Sequence, residues 1–367
     1  MDHAWDFTGP YGAPQVVTHL SFLSAAPITA GYHEVSEASA PTMRSRLLVA
    51  LFVGIVAGLF AFTYQSRPEG APDFIYPWTA ARLLLHGTNP YTALPGGLAE
   101  PFSAPLLYPL PAVLAAVPFA WLTLPLAVGT FMGLSVSLLA FAATSRNWDM
   151  LPFFASAPMI VAVMLGQWSP LITAAALLPA SGFLAIAKPN IGLALTLYRP
   201  TRIGMFGSAA FLIVSVLLVP TWPHDWMRSL ALDHQSGTHL APITTPAGLI
   251  LVIALLRWRR PEARLLLAMA CVPQLLFFYD QLPLMLVPQT RRESYALIIT
   301  SGVAFLFWML VGHPSPQGPK IAEWCVISGV YIPCLIMVLR RPNVGAMPVW
   351  LERGVARFQA LQRRVGE

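Results

Sequence analysis

The pattern of apolar and polar positions is typical of a helical membrane protein with many spans. Long apolar runs alternate with short polar stretches, at residues 47–64, 106–122, 124–144, 205–220, 245–256, 265–278, 295–311 and 321–339. Several runs approach the ~20 apolar residues that a helix needs to cross a bilayer. A further apolar stretch, 150–198, has weak breaks at Gly166-Gln167 and Lys188-Pro189, and fits either three short spans or one span with a re-entrant pair. The pattern therefore predicts an all-α fold with about 10–12 transmembrane helices.

The most polar interval of this region, residues 65–119, follows the first run. After Asp73, residues 74–86 have the periodicity of a helix that ends before the turn at Asn89-Pro90. Aromatic side chains are typical of a headgroup boundary, and the interval holds Tyr76, Trp78 and Tyr91. The pattern predicts a helix along the outer membrane surface, with Asp73 at its start. As the N-cap of this helix, Asp73 would accept a backbone N–H bond, which is a purely structural explanation for its place.

The two ends of the chain differ in pattern from the apolar region between them. Residues 1–46 contain no long apolar run and are predicted to be a disordered extension. Residues 47–342 form the predicted membrane domain. In residues 343–367 the apolar positions fall on one helical face and the arginines on the others. This last pattern predicts a basic amphipathic helix at the inner leaflet.

Composition and charge agree with a membrane location. Hydrophobic residues make up 56% of the 367 residues and charged residues only 10%, whereas soluble domains carry about 25% charged residues. Arginines cluster at 44–46, 199–202, 257–264, 291–292 and 340–341. Because basic residues mark the cytoplasmic side, this distribution predicts cytoplasmic termini and explains the net charge of +6 without a nucleic acid partner. The preference for arginine over lysine, with many alanines, is typical of a GC-rich bacterial genome, and with the apolar runs it predicts a protein of the bacterial cell membrane, inner or plasma.

Three polar side chains lie within or at the ends of apolar runs. Lys188 lies deep in an apolar stretch, where an ionisable group is costly and functional by default. It either binds a phosphate or sugar or extends its ammonium to a nearby surface. Gln167 either hydrogen-bonds sugar hydroxyls or links two helices. Asp280 follows Tyr279 at an outer helix end, and either binds sugar hydroxyls or is solvated.

Two stretches of the polar interval carry a resemblance to a known family. Residues 73–92, DFIYPWTAARLLLHGTNPYT, and 106–125, LLYPLPAVLAAVPFAWLTLP, resemble the signature of glycosyltransferase family 87. This family comprises polyprenol-phosphate-mannose-dependent mannosyltransferases of the GT-C membrane superfamily. Later stretches are also similar, namely LGQWSPLITAAALL, LAIAKPNIGLALTLY and FFYDQLPLMLVP. The resemblance covers about residues 47–312.

The resemblance implies a GT-C-like helical bundle that moves a sugar from a polyprenyl phosphate to an acceptor hydroxyl with inversion. Asp73 would act as the general base on the outer side, a role typically worth ~10²–10⁴-fold in rate. Fixed cations stabilise the departing phosphate, and the candidate contacts for the donor are Arg82, Lys188, Gln167 and Tyr76. Arg82 also fits an arginine that contacts bulk lipid headgroups. The candidate contacts for the acceptor or sugar are His234, Asp233 and Asp280. The implied partners are membrane lipids, the polyprenyl-phosphate-linked donor, and a glycolipid or cell-wall glycan acceptor.

Two features differ from the family pattern. The family's Y-P-P motif is Tyr108-Pro109-Leu110-Pro111 here, and Asp73 lacks the acidic neighbour that the wider superfamily often has. The acids and histidines of the second polar interval, residues 221–246, match no compact metal motif, and the three cysteines have no metal-ligand spacing. The sequence therefore predicts no metal or other cofactor. The residues of the second interval are either solvated or, for Asp233 and His234, near the acceptor.

Two other functions fit the same pattern. A transporter or flippase for a lipid-linked sugar would share the spans and Lys188, but predicts internal repeats with matching broken helices, and we see no such repeat in the sequence. A non-catalytic member of the family, acting as an assembly partner, would keep the motifs without activity. A sugar-transfer assay of the Asp73→Asn variant distinguishes the three.

Overall fold

The computed structural model of the protein describes residues 41–67, 70, 72–94, 105–145, 147–234, 239–344 and 357. In these ranges the chain consists of helices and loops, and the strand-like pairing is confined to one antiparallel bridge between Leu240 and Gln274. The α-helices are α1 (Met43–Gln65), α2 (Ile75–Leu85), α3 (Pro90–Ala93), α4 (Leu110–Ala116), α5 (Leu124–Ala143), α6 (Ala157–Met164), α7 (Ser169–Leu177), α8 (Pro189–Tyr198), α9 (Arg202–Leu218), α10 (Trp222–His234), α11 (Pro261–Cys271), α12 (Arg291–Phe307), α13 (Gly318–Val326) and α14 (Ile332–Leu339). Shorter 3₁₀ helices occur at Val117–Phe119, Leu151–Ala155, Pro179–Ala187, Pro242–Thr244, Gly248–Arg257 and Tyr279–Leu286. Single π-helical segments follow α12 (Trp308–Gly312) and join α13 to α14 (Ile327–Tyr331).

Four helical segments of the described ranges are long and apolar enough to cross a membrane. They are Met43–Gln65, Leu124–Ala143, Arg291–Gly312 and Gly318–Leu339. The number rises to five if α9 and the start of α10, which meet at a bend of 98°, form one broken span. The predicted all-helical architecture is confirmed. The predicted 10–12 crossings exceed the four or five that helix length supports.

Short helices replace several of the predicted crossings. In the stretch 150–198, α6, α7 and α8 have 8, 9 and 10 residues. An α-helix of that length rises at most ~15 Å, about half of the ~30 Å hydrocarbon core. The breaks fall where the sequence predicts them, at Gly166-Gln167 and at Lys188-Pro189. Apolar composition alone does not separate a full span from a buried half-length helix, which is why the count differs.

The predicted end segments lie almost wholly outside the described residues. The first helix begins at Met43, so residues 43–46 belong to α1 and not to the predicted extension 1–46. Thr42 caps this helix, because its hydroxyl accepts the Ser45 N–H at 3.2 Å. Of the predicted amphipathic helix, 343–367, only residues 343, 344 and 357 are described.

The helices α1 and α5 pack through glycines on both sides. Gly54 and Gly58 of α1 face Gly129 and Gly133 of α5, and a methyl group built on Gly58 would lie 2.8 Å from the Gly129 carbonyl oxygen. Small residues four apart let two membrane helices approach with their backbones almost in contact. This contact holds the first long helix against α5.

We expect Gly58→Ala to destabilise the protein by about 1–3 kcal/mol, because the added methyl group collides with backbone that cannot move without separating the helices. Gly302→Ala is the matched control: Gly302 lies in α12 with open space around its Cβ position. It should be neutral or slightly stabilising because alanine favours helix more than glycine. Equilibrium unfolding in mixed micelles measures both. Equal effects of the two substitutions would contradict the close glycine packing of α1 against α5.

Candidate functional site

Four polar side chains from separate parts of the chain form one continuous set of contacts. The Gln167 side-chain amide donates a hydrogen bond from Nε2 to Asp73 Oδ2. Lys188 Nζ donates to Gln167 Oε1 at 3.1 Å and lies 2.6 Å from Asp280 Oδ1. We call Asp73, Gln167, Lys188 and Asp280 the polar cluster. All four are candidate site residues from the sequence, and the structure brings them together.

The backbone before α2 fixes Asp73 against the break between α6 and α7. The Asp73 N–H donates to the Leu165 carbonyl at 2.9 Å. The N-cap residue of α2 is Phe74, and no side chain caps this helix. The expectation that Asp73 is a helix cap is therefore wrong, because its carboxylate accepts from Gln167 instead.

A glycine presents Gln167 to this carboxylate. Gly166 has φ +61°, a conformation that favours glycine, and it ends α6 in a Schellman motif. In that motif the Gln167 N–H donates to the Ala162 carbonyl at 2.9 Å and the Gly166 N–H to the Val163 carbonyl at 3.3 Å. The chain thus reverses at the point where the Gln167 side chain meets Asp73.

Aromatic neighbours anchor both residues in the core. Phe74, next to Asp73, and Trp168, next to Gln167, are fully buried. Their ring centroids are 6.0 Å apart, and both rings pack on Phe131, at 4.2 and 4.9 Å. Buried aromatic side chains contribute large apolar areas and specific packing geometry. The position of the Asp73–Gln167 contact is therefore set by the core and not by a surface loop.

Lys188 and Asp280 form the inner half of the polar cluster. Lys188 occupies the break before α8, and its side chain is only 13% exposed. Asp280 lies in the first turn of the 3₁₀ helix Tyr279–Leu286 and is 2% exposed. Its second oxygen accepts the Leu275 N–H at 3.1 Å. The alternatives that Lys188 extends to a surface and that Asp280 is solvated are both wrong, because the two charges are buried against each other.

The residue before this helix holds an unusual backbone conformation. Phe278 is fully buried and has φ +58°, a region that side-chain-bearing residues rarely adopt. Its ring packs edge-on against Phe305 at 5.3 Å. Backbone strain of this kind persists where the surrounding packing enforces it, and it is common at functional sites. Here it directs Tyr279 and Asp280 towards Lys188, whose Nζ lies 5.1 Å from the Tyr279 ring centroid.

The polar cluster changes the acidity of Asp73. Burial raises the pKa of the Asp73 carboxyl above its ordinary value, while the Lys188 ammonium and the Gln167 hydrogen bond oppose that rise. Asp280 raises this pKa further, and His239 lowers it. The net effect is a raised pKa. A carboxyl with a raised pKa is a stronger proton acceptor when ionised, and such perturbed groups are common at functional sites.

Three side chains next to Asp73 have no role assigned from the sequence. Tyr279 and Tyr108 are each within electrostatic range of both acids of the cluster, and His239 is within range of Asp73. Tyr108 and Tyr279 occur in the motifs quoted above, and His239 in the second polar interval. Their presence in these motifs is the only sequence feature that could have identified them as site residues. Nothing in the local pattern distinguishes a tyrosine of the site from one at the membrane interface. Only the tertiary structure brings them to Asp73.

The second polar interval packs over the first. Asn89, at the start of α3, donates to Asp225 Oδ2 at 3.1 Å and to Thr221 Oγ1 at 3.2 Å. Trp226 Nε1 donates to the Leu107 carbonyl at 2.8 Å. The Tyr91 hydroxyl donates to the Tyr108 carbonyl, also at 2.8 Å. The last two contacts hold the backbone at Leu107 and Tyr108 in place.

We expect Asn89→Asp to weaken the packing of α10 on α3 by ~1–2 kcal/mol, because it replaces a donor facing Asp225 with a second carboxylate. The double variant N89D/D225N exchanges donor and acceptor across the same contact, and it should recover most of the loss. Thermal unfolding of the purified protein measures both. If the double variant is no more stable than N89D, the Asn89–Asp225 hydrogen bond does not hold the two intervals together.

The other candidates lie outside the polar cluster or outside the described side chains. Arg82 is exposed on α2, with its guanidinium 4.7 Å from the Trp78 ring centroid. Tyr76 is partly buried and lies within electrostatic range of Tyr108. Asp233 and His234 belong to the last turn of α10, and their side chains are not among those described.

Two cavities in the described structure have linings that include no residue of the polar cluster. One, of about 420 Å³, is between α7, α8 and α9, and the other, of about 330 Å³, is lined by residues of α5, α7 and α9. No group of three or more His, Cys, Asp or Glu side chains among the described residues is arranged to hold a metal ion.

Comparisons with protein-family models, with curated proteins and with solved structures gave no match for this chain. The resemblance to glycosyltransferase family 87 therefore depends on the quoted motifs, and the polar cluster is independent of it.

Proposed function

We propose that the protein is an integral membrane glycosyltransferase with a GT-C-like fold. It transfers a sugar, mannose on the family resemblance, from a polyprenyl phosphate to an acceptor hydroxyl, with Asp73 as the general base. The observation that carries this proposal is the contact of Asp73 with Gln167, which holds a carboxylate of raised pKa next to apolar helices. In this proposal both termini are cytoplasmic, and Asp73 faces the extracytoplasmic side of a bacterial cell membrane.

The reaction needs few groups from the protein. The acceptor oxygen attacks the anomeric carbon, its proton passes to the Asp73 carboxylate, and the bond from that carbon to the phosphate oxygen breaks. The lipid phosphate leaves with the electron pair, and the sugar configuration inverts because the acceptor oxygen attacks from the face opposite the departing phosphate. Arg82 and Tyr76, on the helix that follows Asp73, are the proposed contacts to the phosphate and sugar. Asp233 and His234 are the proposed contacts to the acceptor.

A transporter for a lipid-linked sugar is the second candidate. The observation that favours it is the ion pair of Lys188 and Asp280, buried where the short helices are interrupted. Ionisable residues inside membranes mark substrate and ion pathways, and transporters bind their substrates at broken helices.

One reconstitution experiment separates the two candidates. The protein in nanodiscs is incubated with a radiolabelled mannosyl polyprenyl phosphate and a set of glycolipid acceptors, and in parallel proteoliposomes are tested for movement of the donor across the bilayer. A labelled product with inverted anomeric configuration supports the transferase. Movement of the intact donor without bond cleavage supports the transporter and overturns the transferase.

A further inference from the structure

The ammonium of Lys188 is already engaged by the protein itself. Its Nζ donates to Asp280 at 2.6 Å and to Gln167 at 3.1 Å, and it lies over the face of Tyr279. Asp280 is held in turn by the Leu275 N–H. A lysine that binds a ligand phosphate as a point charge needs donors directed at that ligand. Two of the three donors of Lys188 are directed instead along the polar cluster.

We propose that Lys188, held by Asp280, is a positioning residue that keeps Asp73 ionised by way of Gln167. It is not, on this proposal, a contact to the donor phosphate. The inference rests on the proposed function only in naming Asp73 as the base. The geometry that carries it is the unbroken line of contacts from Asp280 through Lys188 and Gln167 to Asp73.

The charges of the cluster predict how each member acts. With all groups ionised, Asp73 and Asp280 are negative and Lys188 is positive, so the cluster carries one net negative charge. Among the described residues, the other titratable groups within electrostatic range of Asp73 are His239, Tyr108 and Tyr279. Among the charged neighbours, Lys188 has a larger effect on Asp73 than Asp280 has, and of opposite sign. Removing one member or the other must therefore shift Asp73 in opposite directions.

Three variants give an ordered prediction. Lys188→Met leaves two carboxylates near each other without a cation, so Asp73 should retain its proton to a higher pH than in the wild type. Asp280→Asn removes the repelling carboxylate and leaves Lys188 to Asp73, so the proton should be lost at a lower pH. The double variant K188M/D280N removes both, and because Lys188 is the stronger influence it should fall between wild type and K188M. The order of rising midpoint is D280N, wild type, K188M/D280N, K188M.

The titration is measured without substrate. Infrared difference spectra of the protein in nanodiscs, recorded across pH, follow the carbonyl stretch of protonated Asp73, assigned as the band that Asp73→Asn removes. Lys320→Met is the matched control, because Lys320 is the other lysine of the chain and is exposed on α13. It should leave the midpoint unchanged, and Lys188→Arg, which keeps the charge, should remain close to wild type. The double variant K188M/D280N removes both charges of the ion pair, so it leaves no buried charge without its partner. It therefore provides a folded comparison if K188M unfolds.

The same variants are then assayed for sugar transfer as a function of pH. At neutral pH the rate of K188M should fall by up to the ~10²–10⁴-fold that a general base supplies, and it should recover as pH rises. The predicted midpoint order, with no sugar transfer by the wild type or by any variant, supports the role of Lys188 and overturns the proposed function. Asp73-dependent transfer with a midpoint that K188M leaves unchanged overturns the role of Lys188. A loss in K188M that raised pH does not recover, with an unshifted midpoint, assigns Lys188 to phosphate binding and also overturns it.

Discussion

Replacing Asp73 with asparagine is expected to lower kcat/KM for sugar transfer by ~10²–10⁴-fold, the usual contribution of a general base. Asparagine has nearly the same shape, and its carbonyl oxygen can still accept the hydrogen bond from Gln167 Nε2. The amide cannot take the proton of the acceptor hydroxyl. The loss should therefore appear in the chemical step, with the fold preserved.

The design of this test depends on a control of the same chemistry. Asp149→Asn removes an aspartate whose carboxylate pairs with Arg291, with both side chains substantially exposed. An exposed ion pair contributes at most ~1 kcal/mol, so this variant should transfer sugar at the wild-type rate. Single-turnover measurements with labelled donor separate chemistry from product release, and thermal unfolding checks that both variants are folded. Wild-type turnover by Asp73→Asn would remove Asp73 from the mechanism.

The inner half of the site was predictable from the cost of burying polar groups. Lys188, Gln167 and Asp280 each lie in or beside apolar sequence, where an unpaired polar group is expensive. The cheapest arrangement is mutual pairing, and the structure shows that pairing with Asp73 at its end. The sequence could identify each residue as costly, but could not name its partner. Partner choice depends on where the breaks at Gly166 and Lys188 bring the chain.

The rest of the site required tertiary structure. Tyr108, Tyr279 and His239 look from the sequence like interfacial or solvated residues, and no spacing relates one to another. The β-bridge between Leu240 and Gln274 places the backbone beside His239 against the loop that precedes Asp280. A single pair of bridged residues leaves no periodic pattern in the sequence. The guanidinium of Arg82 lies over the Trp78 ring, and its proposed contact with the donor phosphate stays a prediction.

Arg341, Glu262 and Glu293 form a second cluster of charged side chains, which joins three helices near their ends. Arg341, after α14, lies 2.6 Å from Glu293 Oε2 in α12 and 3.8 Å from Glu262 Oε1 in α11. The nitrogen nearer Glu262, Nη1, also donates to the Val287 carbonyl at 3.0 Å. The Arg341 and Glu262 side chains are 10% and 7% exposed. Because Arg341 and Glu262 are buried, water cannot replace the guanidinium as the partner of the carboxylates.

We expect Arg341→Met to destabilise the protein by about 3–5 kcal/mol, the usual cost of leaving a buried charge without its partner. Methionine keeps much of the apolar stem, so the loss reports the guanidinium and not the packing volume. Equilibrium unfolding in mixed micelles at neutral pH measures the change. The neighbouring exposed arginine supplies the control: Arg340→Met should change the free energy of unfolding by less than ~0.5 kcal/mol.

Neutralising the carboxylates together with the arginine tests the cause of that loss. In the triple variant E262Q/E293Q/R341M no buried charge of the cluster remains, and replacing a whole buried ion cluster with neutral groups is often nearly neutral in stability. Glu293 also accepts the Gln289 N–H at 2.7 Å, and the glutamine carbonyl can keep that bond. The triple variant should therefore be more stable than R341M alone. If it is no more stable than R341M, the loss comes from the missing hydrogen bond of Arg341 to the Val287 carbonyl, and the ion pairs contribute little.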